Sequence, residues 1–169
     1  TSDYAKWKAF DQYIESTPTG GIGWYTQSVP ARIVIDLGTT HTCCRYRIYS
    51  AHSSYCPTTW TLEGSNTGAF AGEQTVIDTR TTIPAWTINT YKEYSFAESS
   101  AYRYYSINIT ATSSSNYSRI GQIQLYGDGI AIDPGEVFDD YVLGDKISSG
   151  TGANMLSYQA SSSPTYTYD

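Results

Sequence analysis

Apolar and polar residues alternate at every second position along much of this 169-residue chain, and this pattern constrains its fold more than any other feature. Ile33, Ile35 and Leu37 fall on one face of an extended strand, and so do Ile107 and Ile109. Alternation with β-branched and aromatic residues predicts strands in seven segments: 32–37, 44–50, 58–63, 75–79, 91–96, 102–110 and 121–126. Gly, Pro, Ser and Asn clusters separate them, which is typical of an all-β protein, an antiparallel β-sandwich or jelly roll.

Helical periodicity is almost absent, and only residues 4–14 predict a short helix or turn. No run of apolar residues approaches the length of about 18 that a membrane span needs. The length suits one domain with a single core. The chain begins with Thr1, so we expect a processed chain or a fragment, and export to the cell exterior or to a cell or virion surface.

The charges divide the chain after Gly127. Residues 1–127 hold nine acidic and nine basic residues, whereas residues 128–169 hold seven acidic residues and one basic residue, Lys146. We therefore predict a β-sandwich over residues 1–127 and an acidic C-terminal arm, rich in Tyr, Ser and Thr, over residues 128–169. Only residues 137–146 of the arm have the composition of an ordered element. With ten scattered basic residues and a pI near 4.7, nucleic acid is not an expected partner.

The three cysteines fit neither a zinc site nor a C-x-x-C redox motif. On an extended strand, Cys43 and Cys44 point to opposite faces. Because Tyr46 shares a face with Cys44, we expect Cys44 to point inward and Cys43 to be the partner of Cys56 if a disulfide forms. Three unpaired thiols are the alternative.

No set of residues in the sequence predicts an enzyme. A nucleophile elbow, a zinc-protease motif and a phosphate-binding loop are all missing from it, and the only histidines are His41 and His52. The densest acidic group, Glu136, Asp139 and Asp140, lies in the arm, where a solvated acidic segment is expected. The sequence therefore favours a non-catalytic protein.

Several short runs, read together and in order, resemble the discoidin family, also called the factor V/VIII type C domain, which includes family 32 of the carbohydrate-binding modules. The matching runs are Lys8-Ala9-Phe10-Asp11, Ile33-Val34-Ile35-Asp36-Leu37-Gly38, Tyr46-Arg47-Ile48, Trp60-Thr61-Leu62-Glu63-Gly64-Ser65-Asn66, Tyr102-Arg103-Tyr104-Tyr105 and Ile120-Gly121-Gln122-Ile123-Gln124-Leu125-Tyr126-Gly127. The resemblance covers about residues 3–127. It implies a galactose-binding-like jelly-roll sandwich of eight strands that binds ligands through loops at one end.

The resemblance also implies a structural calcium site. It places Asp11 in a cage of oxygen ligands together with a residue of the last strand, which here is Gln122. Calcium prefers six to eight oxygen ligands, some of them negatively charged. Because Gln122 is an amide where the family has an acidic residue, we expect weakened calcium binding or none.

Sugar binding is the second function that the resemblance implies. Sugars present apolar faces and hydroxyl groups, so a site needs an aromatic platform and a few planar or charged hydrogen-bonding groups. In the order expected for the family, the sequence offers His52, Tyr55, Arg80 and Tyr117, with Asn116 and Arg119 beside the last. Each also has a plainer interpretation: Arg80, for example, has Asp78 and Glu63 as available ion-pair partners.

Two further features bear on the site. Trp24-Tyr25, between Gly21 and Gly23, is an alternative aromatic platform, although burial of Trp24 is the favoured interpretation. The sequons at Asn108 and Asn116 are candidate glycosylation sites, and a glycan on Asn116 would crowd Tyr117.

We therefore expect a non-catalytic, extracellular module that binds glycans or glycoconjugates and serves in adhesion. The alternative is a structural subunit of a surface fibre, filament or viral appendage. In that case residues 128–169 reach a neighbouring copy and drive homo-assembly, because the arm carries aromatic residues along its length.

Overall fold

The computed structural model describes residues 9–10, 23–114 and 116–127, and the backbone of three short strands at 130–132, 137–138 and 141–142. Most of the predicted helix over residues 4–14, including Asp11, lies outside the described residues. So does most of the acidic arm, and its predicted role in assembly stays a prediction. No helix in the described part of the chain is both long and apolar enough to cross a membrane.

All seven predicted segments form strands, and five short strands join them. In chain order the strands are β1 (Trp24–Thr26), β2 (Ala31–His41), β3 (Arg45–Tyr49), β4 (Pro57–Ser65), β5 (Thr75–Arg80), β6 (Tyr91–Ser95), β7 (Tyr102–Thr112), β8 (Ser118–Ile120), β9 (Gln122–Gly127), β10 (Ile130–Ile132), β11 (Val137–Phe138) and β12 (Tyr141–Val142). The all-β prediction is confirmed. The strands β11 and β12 pair with each other within the segment of the arm that the sequence singles out.

Two four-stranded antiparallel sheets make the body of the fold. One has the strand order β2-β7-β4-β5 and the other β10-β9-β3-β6, while β1 pairs with β8 separately. The predicted alternation sets the inner face of the first sheet: Ile33 and Ile35 on β2 and Ile107 and Ile109 on β7 are fully buried. On the second sheet Ile48 pairs with Ile123 in the same way. The β10 strand extends this sheet past Gly127 by pairing with β9.

Aromatic side chains fill the centre of the sandwich. Trp60 on β4 and Tyr46 on β3 are fully buried, and the Trp60 indole donates a hydrogen bond of 2.8 Å to the Tyr46 hydroxyl. That hydroxyl donates in turn to Asp78 on β5, at 2.9 Å. This polar chain joins the two sheets, because β4 and β5 belong to one sheet and β3 to the other.

Four loops gather at one end of the sandwich, which we call the loop pole. They are residues 27–30, 50–56, 81–90 and 113–117. The strand register places them together, because the start of β2 lies beside the end of β7 and the start of β4 beside the ends of β5 and β7. Backbone hydrogen bonds also link the 81–90 loop to neighbouring segments, from Ile83 to Thr58 and from Asn89 to Ser50. The loops at the other end are 42–44, 66–74 and 96–101.

The expectation that Cys44 points inward is wrong, and of the two alternatives left open for the thiols the structure has the three unpaired ones. Cys43 is the fully buried member of the adjacent pair and Cys44 is only half buried, because the chain bends at Cys44 before β3 begins at Arg45, which breaks the alternation. The predicted disulfide between Cys43 and Cys56 is not formed, and all three thiols are free. The Cys43 thiol donates to the Arg45 carbonyl and the Cys56 thiol to the His52 carbonyl. Burial raises the pKa of both buried thiols to about 12.

Candidate functional site

Four aromatic rings meet at the loop pole and form what we call the aromatic cluster: Tyr25, His52, Tyr55 and Tyr117. The His52 and Tyr55 rings stack with their centroids 4.3 Å apart. Tyr55 meets Tyr117 edge to face at 5.6 Å, and Tyr117 lies parallel to Tyr25 at 6.0 Å. Ring pairs at these separations are mutually stabilising. The cluster therefore joins three segments that lie far apart in the sequence.

Strand pairing explains why these rings meet. The short strands β1 and β8 are antiparallel, with Tyr25 opposite Arg119, so Tyr117 just before β8 comes close to Tyr25. The backbone amide of Arg119 donates a hydrogen bond of 2.6 Å to the Tyr55 carbonyl, which ties the 50–56 loop to β8. The cluster is thus held by backbone hydrogen bonds as well as by ring contacts.

Tyr117 is the most accessible ring of the cluster. It is 38% exposed, whereas Tyr25, His52 and Tyr55 are half buried. The neighbouring Asn116 is exposed and supplies an amide beside the ring. An exposed ring supported from behind by other rings is a suitable platform for the apolar face of a sugar.

His52 is held in one orientation by its own loop. The backbone amide of Ser54 donates a hydrogen bond of 2.9 Å to Nδ1 of His52. In the neutral imidazole the proton then lies on Nε2, which becomes a hydrogen-bond donor. Burial and, secondly, the charge of Arg119 lower the pKa of His52 below its usual value of 6.5, so the neutral ring dominates at pH 7.

Arg119 is the charged member of the site. It is only 8% exposed, and its guanidinium carbon lies 5.2 Å from the centre of the Tyr25 ring, within the range of a cation–π contact. Its charge acts on the ring of His52, as the lowered pKa indicates. Arg119 therefore lies beside the aromatic cluster, with its guanidinium close to the Tyr25 ring.

Arg80 lies at the open side of the sandwich, between the edge strands β5 and β6. Its Nε atom donates to Asp78 at 2.7 Å, its terminal nitrogen donates to the Ser95 carbonyl at 3.4 Å, and its guanidinium lies over the Tyr94 ring.

The structure brings together five of the six predicted ligand-binding residues around the 50–56 and 113–117 loops. It places the side chain of Arg80 in the ion pair that was its plainer interpretation.

The Trp24-Tyr25 pair divides between core and site. Trp24 is 4% exposed, as favoured from the sequence, while the Tyr25 ring packs against Tyr117 and Arg119. In the sequence the two residues form one candidate platform, and nothing there links Tyr25 to Tyr117. The signal that links them is the pairing of β1 with β8, two strands of three residues each, which are too short for alternation to reveal.

The two sequons differ in accessibility. Asn108 lies on β7, and its side-chain nitrogen, which would carry the glycan, donates to Glu63 at 3.1 Å. Asn116 is exposed at the loop pole. Glycosylation of either residue stays a prediction, and the surroundings favour Asn116.

The predicted calcium site is described only on one side. Asp11 lies outside the described residues, whereas Gln122 is buried and its amide oxygen accepts no hydrogen bond from the described part of the chain. A buried carbonyl oxygen of this kind fits a cation ligand. Residues 9–10, 23–114 and 116–127 contain no group of three or more His, Cys, Asp or Glu side chains arranged to hold a metal. Calcium binding stays a prediction, and the melting temperature with and without chelator tests it.

Several solved structures with a similar fold are carbohydrate-binding modules. Chitosan-binding module 2 of a chitosanase/glucanase from Paenibacillus sp. IK-5, in complex with chitotriose, has a TM-score of 0.59 at 18% identity, over 75% of this chain and 89% of that one. The family 32 module of Clostridium perfringens NanJ, in complex with galactose, has a TM-score of 0.57 at 14% identity, over 74% and 86%.

A third similar structure is the family 32 module of AlyQ, in complex with 4,5-unsaturated mannuronic acid. Its TM-score is 0.57 at 16% identity, over 72% of this chain and 84% of that one. The fold of this chain is that of these modules, a β-sandwich. This confirms the jelly-roll sandwich that the resemblance implies. No protein-family model matches the chain, and no curated protein matches it.

Proposed function

We propose that this protein is a non-catalytic carbohydrate-binding module that holds its ligand at the loop pole. The observation that carries the proposal is the aromatic cluster, in which the accessible ring of Tyr117 is backed by Tyr25 and Tyr55. Backing rings fix the orientation of the platform, so little conformational entropy is lost when a sugar stacks on it.

The polar groups around Tyr117 suit a sugar as well. The Nε2 donor of His52 and the amide of Asn116 lie in the two loops that frame the ring. Planar donors and amides at the edge of an aromatic platform fix the orientation of hydroxyl groups. The fold supports the proposal, since similar folds at 14–18% identity are found in modules solved with galactose and chitotriose. We further propose that the module works outside the cell, in adhesion or as a targeting domain.

Glycan-array binding of the full chain tests the proposal, with Tyr117→Ala as the diagnostic variant. Loss of the ring should weaken binding about tenfold, because a ring contact contributes about 1–1.5 kcal/mol. The matched control is Tyr91→Ala, since Tyr91 is an exposed tyrosine on the outer face of β6. Equal binding by the wild type and Tyr117→Ala would remove the proposed site, and no binding to any glycan would contradict the function.

A further inference from the structure

The middle of the 50–56 loop is held by a hydrogen bond to the ring of His52. Both ends of the loop are tied to neighbouring segments by their backbone amides, at Ser50 and at Cys56. Between these ends, the exposed Ser54 donates its backbone amide to Nδ1 of His52 at 2.9 Å. The orientation of the ring and the path of the loop therefore depend on each other.

This hydrogen bond requires an Nδ1 atom that carries no proton. A backbone N–H can only donate, so Nδ1 must offer its lone pair, as it does in the neutral imidazole. In the imidazolium both ring nitrogens carry a proton. Two donors would then face each other across the 2.9 Å contact, and either the ring of His52 or the backbone of Ser54 has to move away. Protonation therefore removes the contact that holds the ring in place.

The ring of His52 is also part of the aromatic cluster. It stacks on Tyr55 with the ring centroids 4.3 Å apart, and Tyr55 packs edge to face against the accessible ring of Tyr117. A turn of the His52 ring away from Ser54 changes both this stack and the direction of the Nε2 donor. One proton on His52 thus alters the surface that the loop pole offers to a sugar.

The groups around His52 set the direction of its titration. Tyr55 and Cys56 face it from its own loop, and the Cys56 thiol donates to the His52 carbonyl. Arg119 on β8 is a cation that acts on the ring, and Lys92 on β6 acts on Cys56 at the base of the loop. Burial and, secondly, the charge of Arg119 lower the pKa of His52 below 6.5. The neutral ring therefore predominates above pH 6.5 and gives way to the imidazolium in mildly acid solution.

We infer that the sugar site at the loop pole is pH-sensitive, and that protonation of His52 weakens sugar binding by releasing the 50–56 loop from the ring. The inference rests on the proposed function, because it concerns the regulation of the same site. By linkage, a sugar that prefers the neutral ring also makes His52 harder to protonate.

Sugar binding and loop release are measured separately on the full chain. Calorimetry with galactose and chitotriose, the sugars of two similar modules, and with the tightest glycan of the array runs from about pH 7.5 to about pH 5. We expect binding to weaken about fivefold over this range, which is the effect of one lost hydrogen bond. In two-dimensional NMR without sugar, the Ser54 amide should shift with the same midpoint as the His52 ring.

Two variants separate His52 from other groups that respond to acid. His52→Gln keeps an acceptor for the Ser54 amide but does not titrate in this range, so its sugar binding should not change with pH. The matched control is His41→Gln, because His41 is the only other histidine of the chain and lies at the end of β2 away from the loop pole. This control should keep the full pH effect. In the wild type, saturating sugar should lower the pKa of His52, which tests the coupling without any substitution.

Four results would overturn the inference. Sugar binding that is equal at both ends of the pH range would leave the proposed function in place without this switch. A pH effect of the same size in His52→Gln, or one that His41→Gln removes, would assign the effect to another group. A Ser54 amide that does not respond while the His52 ring titrates would show that the loop is not released. Failure of every glycan to bind at neutral pH would overturn the proposed function together with the inference.

Discussion

Replacing Asp78 with alanine tests the polar chain that joins the two sheets. Asp78 accepts hydrogen bonds from the Tyr46 hydroxyl at 2.9 Å and from Arg80 at 2.7 Å. Burial and, secondly, the Asp78 charge raise the pKa of Tyr46, so its hydroxyl stays protonated and needs an acceptor. In Asp78→Ala that buried donor loses its acceptor.

The magnitude follows from what is buried. A buried donor without an acceptor costs about 1–3 kcal/mol. The side chain of Arg80 is 28% exposed, so loss of its ion pair adds less than about 1 kcal/mol. We expect Asp78→Ala to lower the free energy of unfolding by about 2–3 kcal/mol, and Asp78→Asn, which keeps an acceptor oxygen, by less.

Urea unfolding followed by tryptophan fluorescence measures the difference, because Trp60 is part of the same chain of hydrogen bonds. The control is Asp36→Ala. Asp36 forms a two-bonded ion pair with Arg103, at 2.8 Å for both bonds, but the two side chains are 29% and 44% exposed. We expect a loss below about 1 kcal/mol there. An equal or larger loss in Asp36→Ala would refute the reasoning that burial, and not ion-pair geometry, decides the cost.

Three other predictions concern packing, thiols and acid. Gly64→Ala should lower the free energy of unfolding by about 1–3 kcal/mol in urea, because the new Cβ would lie 2.3 Å from a ring carbon of Tyr102. The control Gly121→Ala, whose Cβ would have contacts of 3.4 Å or more, should change the free energy of unfolding by less than about 0.5 kcal/mol. Equal effects of the two substitutions would contradict this packing. Ellman's reagent should label Cys44 first and the two buried thiols only on unfolding. A reductant should leave the melting temperature unchanged. A melting temperature that falls on addition of reductant would indicate a disulfide and contradict the three free thiols. Hydrogen bonds from Arg103 and Arg47 lower the pKa values of Asp36 and Glu93 below their usual 3.8 and 4.5, so these carboxylates stabilise the fold above those values and lose that effect as the pH falls through their folded pKa values. Urea midpoints should therefore drop over this pH range, and they should drop less in Arg47→Gln. Urea midpoints that do not depend on pH would contradict this prediction.

Long alternating segments made most of the fold predictable. In β2 and β7, Ile33, Ile35, Ile107 and Ile109 fix one face as core, because the side-chain period of a strand is two. The local bend at Cys44 could not be predicted, since a single residue outside the alternation moves the neighbouring side chain to the other face. Strands of two or three residues, such as β1, carry too few positions for a period to appear.

The site was partly predictable for a related reason. Residues that are close in sequence, such as His52 with Tyr55 and Asn116 with Tyr117, are predicted to lie together because each pair belongs to one loop. The resemblance to the family then predicts that these two loops lie at the same end of the sandwich. The contact of Tyr25 with Tyr117 depends on a pairing of two short strands that lie far apart in the chain. The position of the Arg80 side chain depends on its ion pair with Asp78, two residues away on the same strand, and this pair holds Arg80 away from the other predicted ligand-binding residues.

The most direct test of a glycan site at the loop pole is a map of the backbone amides that respond to sugar in a two-dimensional NMR titration of the full chain. The account predicts that the largest shifts fall in residues 50–56 and 113–119 and at Tyr25, and that Tyr117→Ala removes them. Shifts centred on the 66–74 and 96–101 loops at the opposite end, or on the outer sheet faces, would contradict it.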